Sequence, residues 1–349
     1  MPVLSIDLET RSPHDLPKVG LRKYLQNVEI LLAAWQLDNG PVEQADFQDE
    51  HDVAWARFYS LLADPGIEKR AFNAPFEMGV LRSCGYPIVA SEWVCTMSWA
   101  YARGFTGRLH EVGKQIGLPD DRLKRAHGTR LITKFSCPPF ADPGEHSEDW
   151  EAFRDYNRQD VVAEKAIADY LAPFPLTSDE RKVLYWDWEV NSRGLPVDMP
   201  VVEAAITLAN KESHRLLDRM RDLTGLDNPN SQPQLLGWLQ KHEYPYDNLQ
   251  ALNVRRALAR DPSAPYQGVL GLRQAVARAA TKKYLVLRDR CVEDRIHDTL
   301  QFSGAGRTGR WGGRGFQVQN LVRPSIPDPE QIAQLLHDGY SELVEAIYT

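Results

Sequence analysis

The chain has 349 residues, 43% of them hydrophobic, and a formal net charge of −7. That length favours two domains, and the composition is ordinary for a soluble protein with sizeable cores. No long apolar run and no signal-peptide organisation at MPVLSIDLETRS occur, so a membrane span and a secretory signal are excluded as expectations and a cytoplasmic protein is expected.

In chain order, Val3, Leu4 and Ile6 read as a strand, at whose end Asp7 and Glu9 project from one face at period two. Further strands are expected at about 30–38 and 69–73, with helices between and after them, as an α/β layered domain requires. Glu77 follows Asn73 and Phe76 where another helix begins. The stretch EDWEAFRDYNRQDVVAEKAIADYLA has helical periodicity, and the i,i+4 spacing puts Tyr156 and Asp160 a turn apart on one surface. PFPLTSDE then interrupts the pattern near 173–178, with two prolines to stop one helix and a Thr-Ser-Asp cluster to cap the next. Beyond it, helices are expected at about 178–192, 199–223, 231–242, 252–260 and 268–292, the second and last long and amphipathic.

These acids have a chemistry in common. Two carboxylates on one strand face can share a cation, and magnesium or manganese prefers hard oxygen ligands. Cleaving a phosphodiester needs a stabilised nucleophile and leaving oxygen, which two divalent ions supply to an in-line displacement. Each motif alone is common: a DxE is most often a solvated pair, and YxxxD a plain helix surface. Their order and their placement on strand end, helix start and helix are what make the set specific. The cysteines Cys84, Cys95, Cys137 and Cys291 form no CxxC pair and read as reduced packing residues. His110 and His127 are lone histidines, which are usually structural or exposed.

The acidic average hides a basic segment. Between Gly271 and Ser325 there are eleven Lys and Arg, Lys282 and Lys283 among them, against four Asp and Glu. Phosphate contacts need local positive charge, so this is the place to expect duplex DNA, a solvated basic helix being the plainer alternative.

Taken together, SIDLET, FNAPFEM and DYNRQD resemble the exonuclease domain of family A DNA polymerases, the DNA polymerase I-like enzymes, in the version with tyrosine in its third motif. CTMSWAYARGFTGRLHEVGKQIGL and GTRLITKFSCPP resemble phage-type members. The resemblance implies a 3'→5' exonuclease of ribonuclease H-like α/β fold at 1–172. Asp7, Glu9, Glu77 and Asp160 would ligate two Mg²⁺ or Mn²⁺, Tyr156 would position the attacking water, and Asn73 would meet the DNA. The family's second motif usually ends in Asp, and the extra methylene of Glu77 moves its carboxylate by about a bond length.

The resemblance continues into the second half. WDWEVNSRGLPVDMP is similar to the segment that opens the polymerase region, and NPNSQPQLLGWLQ resembles the thumb tip, where Asn230 and Ser231 would meet the phosphate backbone. FSGAGRTGRWGGRGFQVQNLVRP resembles the motif after the thumb, implying that Thr308, Arg310, Gln319 and Asn320 face the minor groove of a primer-template. Minor-groove acceptors are shared by all base pairs, so such contacts test pair geometry rather than sequence. A mainly helical thumb is thus expected at 178–300 and the start of a palm at 301–349. No palm carboxylate motif follows Pro324. The expectation is therefore a protein that does not polymerise alone, either cut short or completed by a palm-and-fingers polypeptide. Its substrates would be single-stranded 3' ends and primer-template duplex; an RNA-trimming nuclease is the remaining alternative.

Overall fold

The computed structural model describes residues 1–119, 128–278, 282–321 and 326–348. Five strands form its main sheet: β1 Val3–Arg11, β2 Glu29–Leu37, β3 Val42–Asp46, β4 Glu68–Ala71 and β5 Trp93–Cys95. Their order is β3-β2-β1-β4-β5. β1, β2 and β3 pair antiparallel, β1 and β2 joined through two single-turn helices and β2 and β3 by a short turn, whereas β4 and β5 run parallel to β1. β3 and β5 were not expected from sequence: one is a weakly apolar VEQAD, the other only three residues long.

Alternation along β1 assigns its two faces. Leu4, Ile6 and Leu8 enter the larger core with Phe58, Leu62, Met78 and Leu81. These come from helices that follow two single-turn helices, α1 Leu16–Val19 and α2 Leu21–Tyr24: α3 Ala54–Ala63 and α4 Ala74–Ser83. After α5 Thr96–Ala102 and α6 Leu109–Gln115, α7 Gly128–Ser136 and α8 Ser147–Leu171 cover the other face. There Leu32 packs with Leu131, Phe135, Trp150, Phe153 and Tyr156. The buried positions of α8 recur at helical spacing from Trp150 to Leu171, and among them stand the acids Asp160 and Glu164. An acid on a buried helix face is costly unless something compensates it, which marks this face as unusual before any function is assigned.

Helix α9, Ser178–Arg193, opens with a capping box between Thr177 and Glu180 and ends where Gly194 takes φ 69°. The helix break expected near 173–178 is present, but packing divides the chain elsewhere. One compact unit is Met1–Pro196 with Asp289–Val322, and the other is Val197–Arg288 with Arg323–Thr349. Leu176, Leu184 and Trp188 belong to the core of the first unit. Strand β6, Leu195–Pro196, closes the first segment of that unit.

The second unit is helical: α10 Met199–Thr224, α11 Gln232–Lys241, α12 Ala251–Arg260, α13 Gln267–Arg278 and α14 Lys282–Arg290, whose last two residues already belong to the first unit. Met220, Leu235, Leu239, Val254, Tyr266 and Leu270 are the centre of its core. Asp198 caps α10 through the Val201 N–H, and Gly225 ends it in the left-handed conformation. The long helix expected at 268–292 is corrected at its end. After α14 the chain turns into strands β7 Cys291–Val292 and β8 Arg295–Ile296, with Glu293 and Asp294 at positive φ between them, so Arg295 lies on a strand. β8 lies between β6 and β7, and β9 Leu300–Gln301 pairs with β10 Gly312–Gly313. Helices α15 Pro329–His337 and α16 Ser341–Tyr348 rejoin the second unit, where both pack on α10. Among the described residues no helix is long and apolar enough to cross a membrane.

Candidate functional site

Three of the expected acids converge. Asp7 and Glu9 from β1 and Asp160 from α8 each offer a carboxylate oxygen, all within 4.8 Å of one another. Strand register explains the opening: Asp7 stands opposite Ala34 and Glu9 opposite Leu32 on β2, and the register shifts between Glu9 and Thr10. The alanine leaves room beside Asp7 for α8 to approach closely.

Glu77 enters from α4, whose N-cap is Asn73. Its side chain is buried, and its Oε2 finds no hydrogen-bond partner among the described residues. Burial first, then the neighbouring Asp7 and Glu164, holds the Glu77 carboxyl well above the usual range, against the pull of its own backbone N–H. An acid packed among acids with an orphaned oxygen is what a divalent cation would relieve. The hard-oxygen donor set therefore fits Mg²⁺ or Mn²⁺.

Tyr156 is 2% exposed, and its ring lies parallel to Phe153 at 6.2 Å between centroids. Gly128, at the start of α7, lies against that ring: a Cβ there would meet Tyr156 Cε2 at 2.1 Å and its hydroxyl at 2.7 Å. One turn beyond Asp160, Glu164 ion-pairs with Arg70 Nε at 3.1 Å and accepts the Thr96 hydroxyl, while Arg70 also donates to Ser5 Oγ at 3.0 Å. The guanidinium thus neutralises one of the acids beneath the cluster. Neither Gly128 nor the Arg70–Glu164 pair stood out in the sequence.

A groove of about 940 Å³ in the same unit is lined by Asn73, Arg82 and Met97, together with Arg22, Arg290 and Arg314. Asn191 of α9 shapes its far wall by clasping Leu300 on both sides, donating to its carbonyl and accepting from its N–H at 3.0 Å each. Buried Asp187 accepts from Trp311 Nε1 at 2.6 Å. The segment WDWEVNSRGLP therefore fastens the stretch that carries TGR and QN.

A DNA polymerase of Bacillus phage SP02 aligns with all of this chain at 35% identity. The chain belongs to the family A-like DNA polymerases. It spans 55% of that phage polymerase's length. Among solved structures, the POL domain of Pol1 from M. smegmatis, in complex with DNA primer-template and dNTP, shares its fold with a TM-score of 0.54 at 17% identity. That likeness covers 93% of this chain and 53% of the other. No family model matches the chain.

In this family A-like chain the residues expected at the duplex fall into both units. Thr308, Arg310, Gln319 and Asn320 belong to the first and are exposed; Asn230, Lys282 and Lys283 are exposed in the second, and Ser231 is half-buried there at the N-cap of α11. Gln319 lies over Gly313, where a Cβ would stand 1.7 Å from its Nε2, so the glycine is required by that approach. Asn320 donates to Gln317 Oε1 at 2.6 Å. His127, Arg323 and Pro324 lie outside the described residues.

Proposed function

We propose that the first unit is a metal-dependent 3'→5' exonuclease of ribonuclease H-like fold, and that the helices of the second act as a thumb on primer-template DNA. The observation that carries the reading is the convergence of Asp7, Glu9 and Asp160 beside the buried Glu77. The mixed five-stranded sheet with helices on both faces suits the fold that the family resemblance implies. In this reading Asp7, Glu9, Glu77 and Asp160 hold two Mg²⁺ or Mn²⁺. Bound there, the ions would supply Lewis-acid stabilisation of an in-line displacement and a more acidic water.

The chain's own residues do the rest. Tyr156, fixed by Phe153 and Gly128, orients the attacking water toward the terminal phosphorus. As the new P–O bond forms, the bond to the penultimate O3' breaks, and the proton released by the water ends on the new 3'-hydroxyl. Asn73, whose side chain makes no capping bond, is left to hold the terminal nucleotide. The cluster is mostly buried between β1 and α8, so stacking and pairing must be lost before a phosphodiester can reach it. Frayed and mismatched 3' ends are then the preferred substrates, which is the logic of proofreading.

The test is incubation with single-stranded DNA and with a 3'-mismatched primer-template in Mg²⁺, Mn²⁺ or EDTA, beside Asp7→Ala. Stepwise shortening that needs the metal and disappears in the variant is expected. Wild-type degradation by a clean Asp7→Ala preparation would remove the assignment.

A further inference from the structure

We propose that Asn157 is the positioning residue for Asp7, and that Gln44 sets which end of its amide faces the carboxylate. The proposal rests on the exonuclease reading above. Asn157 follows Tyr156 on α8 and is fully buried. Its Nδ2 donates to Asp7 Oδ2 at 2.8 Å and to the Asp7 main-chain oxygen at 3.1 Å, so one nitrogen spends both its hydrogens on one residue. With Oδ2 anchored, the carboxylate torsion is fixed relative to Glu9 and Asp160, the acids with which it would share a cation.

The polarity of that contact has a traceable origin. Gln44 on β3 donates through Nε2 to Asn157 Oδ1 at 2.8 Å and to the Arg154 carbonyl at 2.9 Å. Its Oε1 accepts from Arg158 Nη1 at 2.8 Å and from Arg154 Nε at 3.3 Å. A guanidinium has donors and no acceptor, so the oxygen of Gln44 must face the arginines and its nitrogen must face Asn157. That in turn points the oxygen of Asn157 at Gln44 and its nitrogen at Asp7. Two arginines thus orient two amides in series, and the last amide orients the carboxylate. Partners that orient a ligand in this way typically change metal affinity or activity by about 10–100-fold when removed.

Gln44→Glu separates positioning from packing. It keeps the shape and the acceptor for both arginines but removes the donor to Asn157 and to the Arg154 carbonyl, the latter loss offset by the charge-assisted bonds to the two guanidiniums. The Asn157 amide then gains by flipping and would present its oxygen to Asp7. Mn²⁺ binding is measured by the loss of free-ion EPR signal for the full chain, beside DNA affinity and a thermal melt. The expected result for Gln44→Glu and for Asn157→Leu is Mn²⁺ affinity weakened about 10–100-fold, with DNA affinity unchanged; Gln44→Glu should also keep its melting temperature. On single-stranded DNA, kcat should fall while KM stays. If Asn157→Leu fails to fold, Gln44→Glu decides alone. Wild-type Mn²⁺ affinity in Gln44→Glu, with Asp7→Ala having lost it, overturns the positioning role and spares the site. Wild-type affinity in Asp7→Ala overturns the site itself and the proposal with it.

Discussion

At the scale of single residues, the groups that carry chemistry were easier to read than those that hold them. Asp7 and Glu9 follow from alternation on β1, and Tyr156 and Asp160 from one helical turn. Gly128 and Asn157 did not follow, because spacing fixes a residue's face on its own element and says nothing of what crosses from the next. Gly128 now makes a prediction. A Cβ there would fall 2.1 Å from Tyr156 Cε2, so Gly128→Ala must displace the ring. A misplacement of about 1 Å costs on the order of 100-fold in rate, so kcat on single-stranded DNA should fall by about that much while Mn²⁺ affinity is kept. Single-turnover hydrolysis beside Tyr156→Phe measures it; an unaffected rate would remove Tyr156 from the reaction.

Asp298 gives the pH dependence. Burial pushes its carboxyl up to about 6, against His297, Arg22 and Arg290 and with Asp187 adding to the rise. The folded chain therefore keeps this proton to higher pH than the unfolded chain, whose value is about 3.9. The associated stability is full below about pH 4 and is lost as pH rises through 6, where the buried charge costs about 2–3 kcal/mol. Asp298→Asn should recover about that amount at pH 8 and flatten the profile between pH 4 and 6. Asn also tolerates the left-handed φ of 54° found here. Urea unfolding at pH 5 and pH 8 reads both effects, and a variant less stable than wild type at pH 8 would contradict the sign.

At the scale of elements, sequence located helix ends better than helix partners. TSDE and Gly194 bound α9 within a residue of the expected span, because caps are local chemistry. Its apolar stripe could not say which core it joins, and Leu184 and Trp188 join that of the first unit. Strands β3 and β5 were missed because so few residues carry too little period-two signal. The assignment of α9 is testable by Leu184→Ala, which should destabilise by about 2–5 kcal/mol as a buried leucine truncation does. Eight of the nine tryptophans lie in the first unit, Trp238 alone in the second. The loss should therefore appear in the unfolding transition followed by tryptophan fluorescence. Met220→Ala, in the core of the second unit, should leave that transition in place while lowering helical ellipticity at a lower denaturant concentration.

At the scale of the whole molecule, the electrostatics decide whether a chain of net charge −7 can hold a polyanion. Charges farther apart than about 10 Å at 0.1 M salt are largely screened, so DNA senses the local surface and not the sum. Lys282 and Lys283 are both exposed at the start of α14. If they neutralise phosphates of a bound duplex, each contact releases about 0.9 of a counterion, and each enters the slope of log K against log salt by that amount. Lys282→Ala with Lys283→Ala should then shallow the slope by about 2 and weaken binding most at low salt. Asp7→Ala should leave the slope alone, since its carboxylate sits in the metal cluster and faces no duplex phosphate in this reading. Fluorescence anisotropy with a primer-template between 50 and 200 mM salt makes the measurement. A slope unchanged in the double variant would assign those lysines to a solvated helix face and move the duplex contact to the exposed TGR and QN segment, where Arg310→Ala repeats the same test.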